Sequence, residues 1–101
     1  MNLSDRRLFR ERCYVNGKWT EAEDGRTVAV TNPFDGEVIG SVPDCGAIET
    51  RKALQAAEAA LPGWRALPAR ERGAKMRAWF NLMMANENDL ALIMTTEQGK
   101  P

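Results

Sequence analysis

No histidine occurs among the 101 residues. Within this chain that excludes His/Cys zinc sites, Cys-His dyads and Ser-His-Asp triads. No run of 18 apolar residues is present, so no transmembrane helix is expected. The opening MNLSDRRLFRERC lacks the apolar stretch of a secretory signal, and Asp5 and Glu11 interrupt the arginines that a mitochondrial leader would need. Cytosolic residence is the expectation. Net charge is absent too: Lys plus Arg is 14 and Asp plus Glu is 14, leaving no field to draw in nucleic acid or an anionic membrane. G-x-G-x-x-G occurs nowhere, and Gly99-Lys100 is not the end of a phosphate loop, because Met94 stands where its first glycine belongs and Pro101 where Ser or Thr would ligate magnesium.

What is present is ordinary for a globular protein: 44% hydrophobic and 28% charged residues, in a length that makes at most one domain. The most informative stretch is residues 68–101. Apolar side chains recur there at Met76, Trp79, Phe80, Met83, Leu90, Ile93 and Met94, while Arg70, Arg72, Lys75, Arg77 and Asn81 fill the positions between. That spacing puts the apolar set on one helical face, which needs a larger apolar surface to lie against. The cluster Asn86-Glu87-Asn88-Asp89 interrupts the stripe; asparagine tolerates the left-handed conformation that ends one helix and can cap the next. The segment therefore predicts a helix from 69 to 85, its first turn pre-set by Pro68, and another from 88 to 98, stopped by Gly99 and Pro101.

Residues 13–42 read as three short strands in two hairpins. Cys13-Tyr14-Val15 turns at Asn16-Gly17 and returns through Lys18-Trp19. Positions 26 to 31 alternate, with Thr27, Ala29 and Thr31 on one side and Val28 and Val30 on the other; after Asn32-Pro33 the turn Asp35-Gly36 leads into 37 to 42. Gly17 and Gly36 are explained as turn residues, not ligand contacts. From Asp44, a candidate N-cap, Ala47, Leu54, Ala57 and Leu61 mark a third helix, which Pro62-Gly63 is expected to break. Trp64 would then plug the junction. Pairs such as Glu21 with Glu23 and Glu87 with Asp89 belong to turns and solvated faces and carry no acid/base role.

Several of these residues, read together, carry a resemblance. Tyr14-Val15-Asn16-Gly17-Lys18-Trp19, Thr31-Asn32-Pro33, Gly36-Glu37-Val38-Ile39-Gly40, Trp64, Arg72 and the closing Glu97-Gln98-Gly99-Lys100-Pro101 resemble the N-terminal part of the aldehyde dehydrogenase superfamily, over nearly everything after Arg12. NLMM at 81–84 and MTTEQGKP at 94–101 are most similar to succinate-semialdehyde dehydrogenases. The resemblance implies an α/β fold: short β-hairpins followed by three helices, forming the first part of a cofactor domain. Residues 1–12 would be a solvated lead-in and 13–101 a partial domain of a longer chain.

The same resemblance implies an NAD- or NADP-dependent oxidation of an aldehyde through a cysteine thiohemiacetal. The nucleophile, the glutamate base, the oxyanion-hole asparagine and the cofactor's glycine motif would all lie beyond Pro101. No catalytic or cofactor-binding residue is then expected here, and this segment alone should be inactive and scaffolding. Cys13 opens an alternating strand and Cys45 sits in a Pro-Asp-Cys-Gly turn, neither in the glycine- and glutamine-rich setting of that nucleophile, so both read as structural thiols. The implied partners are the remainder of the chain, a small aldehyde and further subunits of a homo-oligomer. One ligand site falls inside these residues: Thr31 and Glu97 match positions that hold a structural sodium or potassium ion in several members, although Glu97 stands where relatives often carry Asp. Two alternatives stay open, namely a betaine-aldehyde or other semialdehyde enzyme, and a free-standing helical module that grips another protein through Trp79, Phe80 and Met83.

Overall fold

Asn16 and Gly17 both take positive φ, 50° and 75°, the backbone that a two-residue hairpin turn demands. They join β1 (Cys13–Val15) to β2 (Lys18–Thr20) in an antiparallel pair with Cys13 opposite Thr20 and Tyr14 opposite Trp19. Tyr14 and Trp19 rings meet 5.0 Å apart, and the Arg10 guanidinium lies 4.7 Å over Trp19. The computed structural model describes all 101 residues. In it, β3 (Thr27–Thr31) and β4 (Val38–Pro43) form a second, separate antiparallel pair with a bulge between Val30 and Thr31. The intervening loop closes on itself: the Phe34 amide donates to Asn32 Oδ1 at 3.0 Å and the Glu37 amide to Asp35 Oδ1 at 2.9 Å. The two predicted hairpins are present. There are four strands, not three, because Lys18–Thr20 pairs along its whole length.

Three helices follow, α1 (Ala47–Ala66), α2 (Ala69–Ala85) and α3 (Glu87–Gln98). Asp44 does not cap α1. Its amide donates to the Arg26 carbonyl at 2.8 Å, continuing the ladder past β4, and the N-cap is Gly46, whose amide donates to Glu49 Oε2 at 2.8 Å. Nor does Pro62-Gly63 break the helix. Pro62 sits inside it, giving up one bond to the Glu58 carbonyl, and the helix ends only at Leu67, where ψ swings to 138° because the Pro68 ring excludes helical geometry from the residue before it. Trp64 consequently lies within α1, 39% exposed, and plugs no junction. Between α2 and α3 Asn86 is a one-residue hinge at φ −117°, not left-handed, with Nδ2 donating to the Leu82 carbonyl at 2.8 Å. Gly99 ends α3 in the left-handed region at φ 75°, its amide donating to Thr95 O.

The lead-in is mostly exposed, yet it is tied down by hydrogen bonds. The single 3-10 turn Arg6–Leu8 follows two backbone amides, Ser4 and Asp5, that donate to the two Asp89 carboxylate oxygens at 3.0 and 2.8 Å. Glu11 Oε1 then accepts the Ser41 amide at 2.8 Å, capping the outer edge of β4. Gly40 makes that approach possible, since a Cβ there would stand 2.9 Å from both Glu11 Oε1 and the Phe9 ring. Gly40→Ala is expected to displace the Glu11 carboxylate, at about the 1 kcal/mol of one hydrogen bond, and to speed hydrogen exchange at the Ser41 amide; unchanged exchange at Ser41 would count against the contact.

Only 3 of 101 residues are buried: Ala22, Pro43 and Asp89. The radius of gyration is 16.5 Å, against about 13 Å for a compact chain of this length. The surface is 8176 Å² for 11.3 kDa, where a compact monomer would expose about 5,700 Å². Elements of regular structure are therefore formed and positioned, yet their apolar faces have not met one another.

Candidate functional site

Thr31 ends β3 at the bulge and pairs with Val38, while Glu97 occupies the last turn of α3. The segments carrying them meet where Pro33 packs on Gly99, so closely that a Cβ on Gly99 would lie 3.0 Å from the Pro33 ring. Thr95 Oγ1 donates to the Lys100 carbonyl at 2.6 Å and closes the turn after the helix. Both predicted ligands are exposed. Glu97 takes part in none of the four salt bridges of the chain. The structure thus brings the two segments together and leaves their side chains unengaged. The oxygen set on offer, a carboxylate and the free carbonyls at a helix C-terminus, is of the kind that suits a hard monovalent cation. No group of three or more Cys, Asp or Glu converges as a transition-metal site would require.

Beside this junction lies an open cleft of about 600 Å³ between the lead-in and the second hairpin, with Arg6, Phe9, Glu11, Asn32, Val38 and Thr96 on its walls. Its polar groups include Glu11, Glu37 and Thr96; the Glu11 carboxylate accepts the Ser41 amide and the Thr96 hydroxyl donates to the Leu92 carbonyl. Several charged groups elsewhere in the chain serve as ties. Glu49 spans two elements, accepting the Glu23 amide at 2.8 Å through Oε1 as well as Gly46 through Oε2; those two amides hold its carboxyl below the usual glutamate range. Lys52 pairs with Glu23 across the same seam, which raises the lysine. Asp5 is held at about 2 by the side chain and then the amide of Arg7. Asp89, Glu49 and Glu11 were missed by sequence reasoning as organisers. Asp89 alone left a signal, since it lies four residues before Ile93 and so shares the apolar face.

Cys13 and Cys45, 32 positions apart, come together with their sulfurs at 3.7 Å, both as free thiols. Partial desolvation, then Cys13, and then the negative charges of Glu49 and Asp44 push the Cys45 thiol upward.

Two separate hairpins, three helices and a stripe of uncovered apolar residues make up a chain of the α/β class. The chain belongs to the aldehyde dehydrogenase family, whose pattern it matches over residues 19–101. It is 59% identical over its whole length to a glutarate-semialdehyde dehydrogenase of Pseudomonas putida and 54% identical to the NADP-dependent succinate-semialdehyde dehydrogenase of Escherichia coli, covering 21% of each. A crystal structure of succinate-semialdehyde dehydrogenase from Burkholderia pseudomallei superimposes with a TM-score of 0.96 at 48% identity, over 100% of this chain and 21% of that one. The chain thus spans about a fifth of the length of the relatives it matches, and the predicted class, hairpins followed by three helices of an N-terminal α/β part, is the observed one.

Proposed function

We propose that these residues are the scaffold of an NAD(P)-dependent aldehyde dehydrogenase that oxidises succinate semialdehyde to succinate, with the catalytic and cofactor-binding groups beyond Pro101. Residues 1–12 are then the lead-in and 13–101 the first part of the cofactor-side domain, in a cytoplasmic homo-oligomer. The supporting observation is the identity of 54 to 59% to semialdehyde dehydrogenases along the entire chain. The uncovered surface agrees with it. The excess over a compact monomer is about 2,400 Å², the scale of an obligate interface, and Arg72 Nε is a buried donor with no acceptor in the chain. Exposed Trp79, Phe80 and Met83 would equally serve a free-standing interaction module, but a family match over residues 19–101 favours the enzyme.

The test is an assay of the full-length protein with succinate semialdehyde, its one-carbon-longer homologue glutarate semialdehyde and betaine aldehyde, following NADH or NADPH. Preference for succinate semialdehyde is the expected result. Preference for glutarate semialdehyde would move the substrate and keep the class; a reading frame that stops after codon 101, with no activity, would overturn both.

The same reading places a structural sodium or potassium ion between the β3 bulge and the end of α3, held by the Thr31 carbonyl and the Glu97 carboxylate. Melting of the full-length protein should be higher in potassium or sodium than in a bulky organic cation at matched ionic strength, and Glu97→Gln should erase the difference. Identical melting in all three salts would remove the site.

A further inference from the structure

We propose that Cys13 and Cys45 form a reversible disulfide that staples the first hairpin to the N-terminus of α1. Cys13 opens β1, fixed by its pairing with Thr20, whose hydroxyl donates to the Cys13 carbonyl at 3.4 Å. Cys45 lies in the short link between β4 and α1, fixed on one side by the Asp44 amide on Arg26 O and on the other by the Gly46 amide on Glu49. Both backbones are held, and the two sulfurs face each other at 3.7 Å, which is van der Waals contact. Closing to a bond of about 2.05 Å asks for an approach of under 2 Å, within reach of side-chain rotation and a small loop movement. Within these residues Cys45 is exposed to solvent and Cys13 half-buried, and reaction with peroxide in the full-length protein reads whether the pair stays accessible there.

The oxidant is hydrogen peroxide. One sulfur attacks the peroxide oxygen, breaking the O–O bond and giving a sulfenic acid and one water. The second thiol attacks that sulfenic sulfur, forms the S–S bond and releases a second water. Two thiols lose two electrons and hydrogen peroxide gains them. A dithiol reductant reverses the reaction by exchange.

The bond would matter because the seam it crosses is thin. Glu49 on the Glu23 amide and the Lys52–Glu23 pair are its other polar ties, and both are exposed. A covalent link there encloses the whole second hairpin in one loop and restricts the unfolded chain. In a reducing compartment such a bond forms under oxidative challenge and does not persist.

The experiment uses the full-length protein, treated with hydrogen peroxide, blocked with iodoacetamide and digested with trypsin without reductant. Trypsin releases Cys13 in the peptide of residues 13–18 and Cys45 in that of residues 27–51, so the linked species is identified by its mass and by fragment sequencing of both peptides. The expected result is loss of both alkylatable thiols, appearance of the linked peptides, and recovery of both thiols on adding dithiothreitol. Cys13→Ser should abolish the linked species and leave Cys45 as thiol or sulfenic acid. Recovery of both cysteines as separately alkylated peptides after peroxide would overturn the proposal. So would linkage that appears only when the protein is oxidised in denaturant, or separate conversion of each to sulfinic acid.

Discussion

Phe80→Ala is expected to destabilise the full-length protein by about 3 to 5 kcal/mol, and the isolated 101-residue segment far less. The difference comes from where the ring goes. Within these residues alone Phe80 is 44% exposed and its neighbours Trp79 and Met83 are 58% and 41% exposed, so removing the ring opens no closed cavity. If these residues open a longer chain, as proposed, the α2 face has the remaining domain to pack against, and truncation of the ring would leave a void. Arg77 offers the internal control. Its guanidinium sits 5.1 Å over the Phe80 ring at the exposed rim, an arrangement worth about 0.5 to 1 kcal/mol, so Arg77→Ala should cost no more than that. Equal losses at 77 and 80 in the full-length protein would mean that the stripe faces solvent. The isolated segment, with most of its apolar face wet, should show no sharp cooperative melt above about 60 °C.

Periodicity made the helices legible and made their ends partly so. The boundaries of α2 follow from Pro68 and Asn86, both visible in the sequence, because each acts through local backbone chemistry. Pro62 misled for the converse reason: as a local signal it breaks a helix, at about 3 kcal/mol, but Trp64 and its neighbours continue the helix and Pro68 supplies the real stop. Asp44 misled similarly: the strand pairing runs on through its amide to Arg26, 18 residues away, so the helix starts only after Gly46, a shift that no short window reveals. The hairpins were legible through Asn16-Gly17 and Asp35-Gly36, whose turn chemistry is local as well.

The candidate site was legible only in part. Thr31 and Glu97 came from resemblance, and the structure adds the meeting of Pro33 with Gly99, which fixes the two segments side by side. The approach of Cys13 to Cys45 was not legible at all. It depends on how the first hairpin docks against α1, a relation carried by Glu49 and Lys52 that has no counterpart in spacing along the chain.

Asp89→Ala is expected to release the chain up to the Arg6–Leu8 turn and to cost about 2 to 4 kcal/mol. Asp89 is 7% exposed, and its two oxygens are taken up by the amides of Ser4 and Asp5. Charge-assisted bonds of this kind are worth about 1.5 to 3 kcal/mol each, and deleting the acceptor also leaves two partly buried donors without partners. Asp89→Asn should be damaging too, because the amide would turn an NH₂ toward a backbone N–H and satisfy only one of the pair. Asp89→Glu tests placement separately from charge, since the extra methylene keeps two oxygens but moves them along the axis of the clasp. Trypsin reads the outcome directly through Arg6 and Arg7 in the 3-10 turn that the clasp holds in place. Cleavage after these arginines should be much faster in Asp89→Ala and Asp89→Asn than in the unaltered protein, ahead of any global unfolding. If cleavage there and the melting temperature both match the unaltered protein, the lead-in is held by something other than Asp89, and the contacts of Phe9 and Glu11 at Gly40 become the ties to remove next.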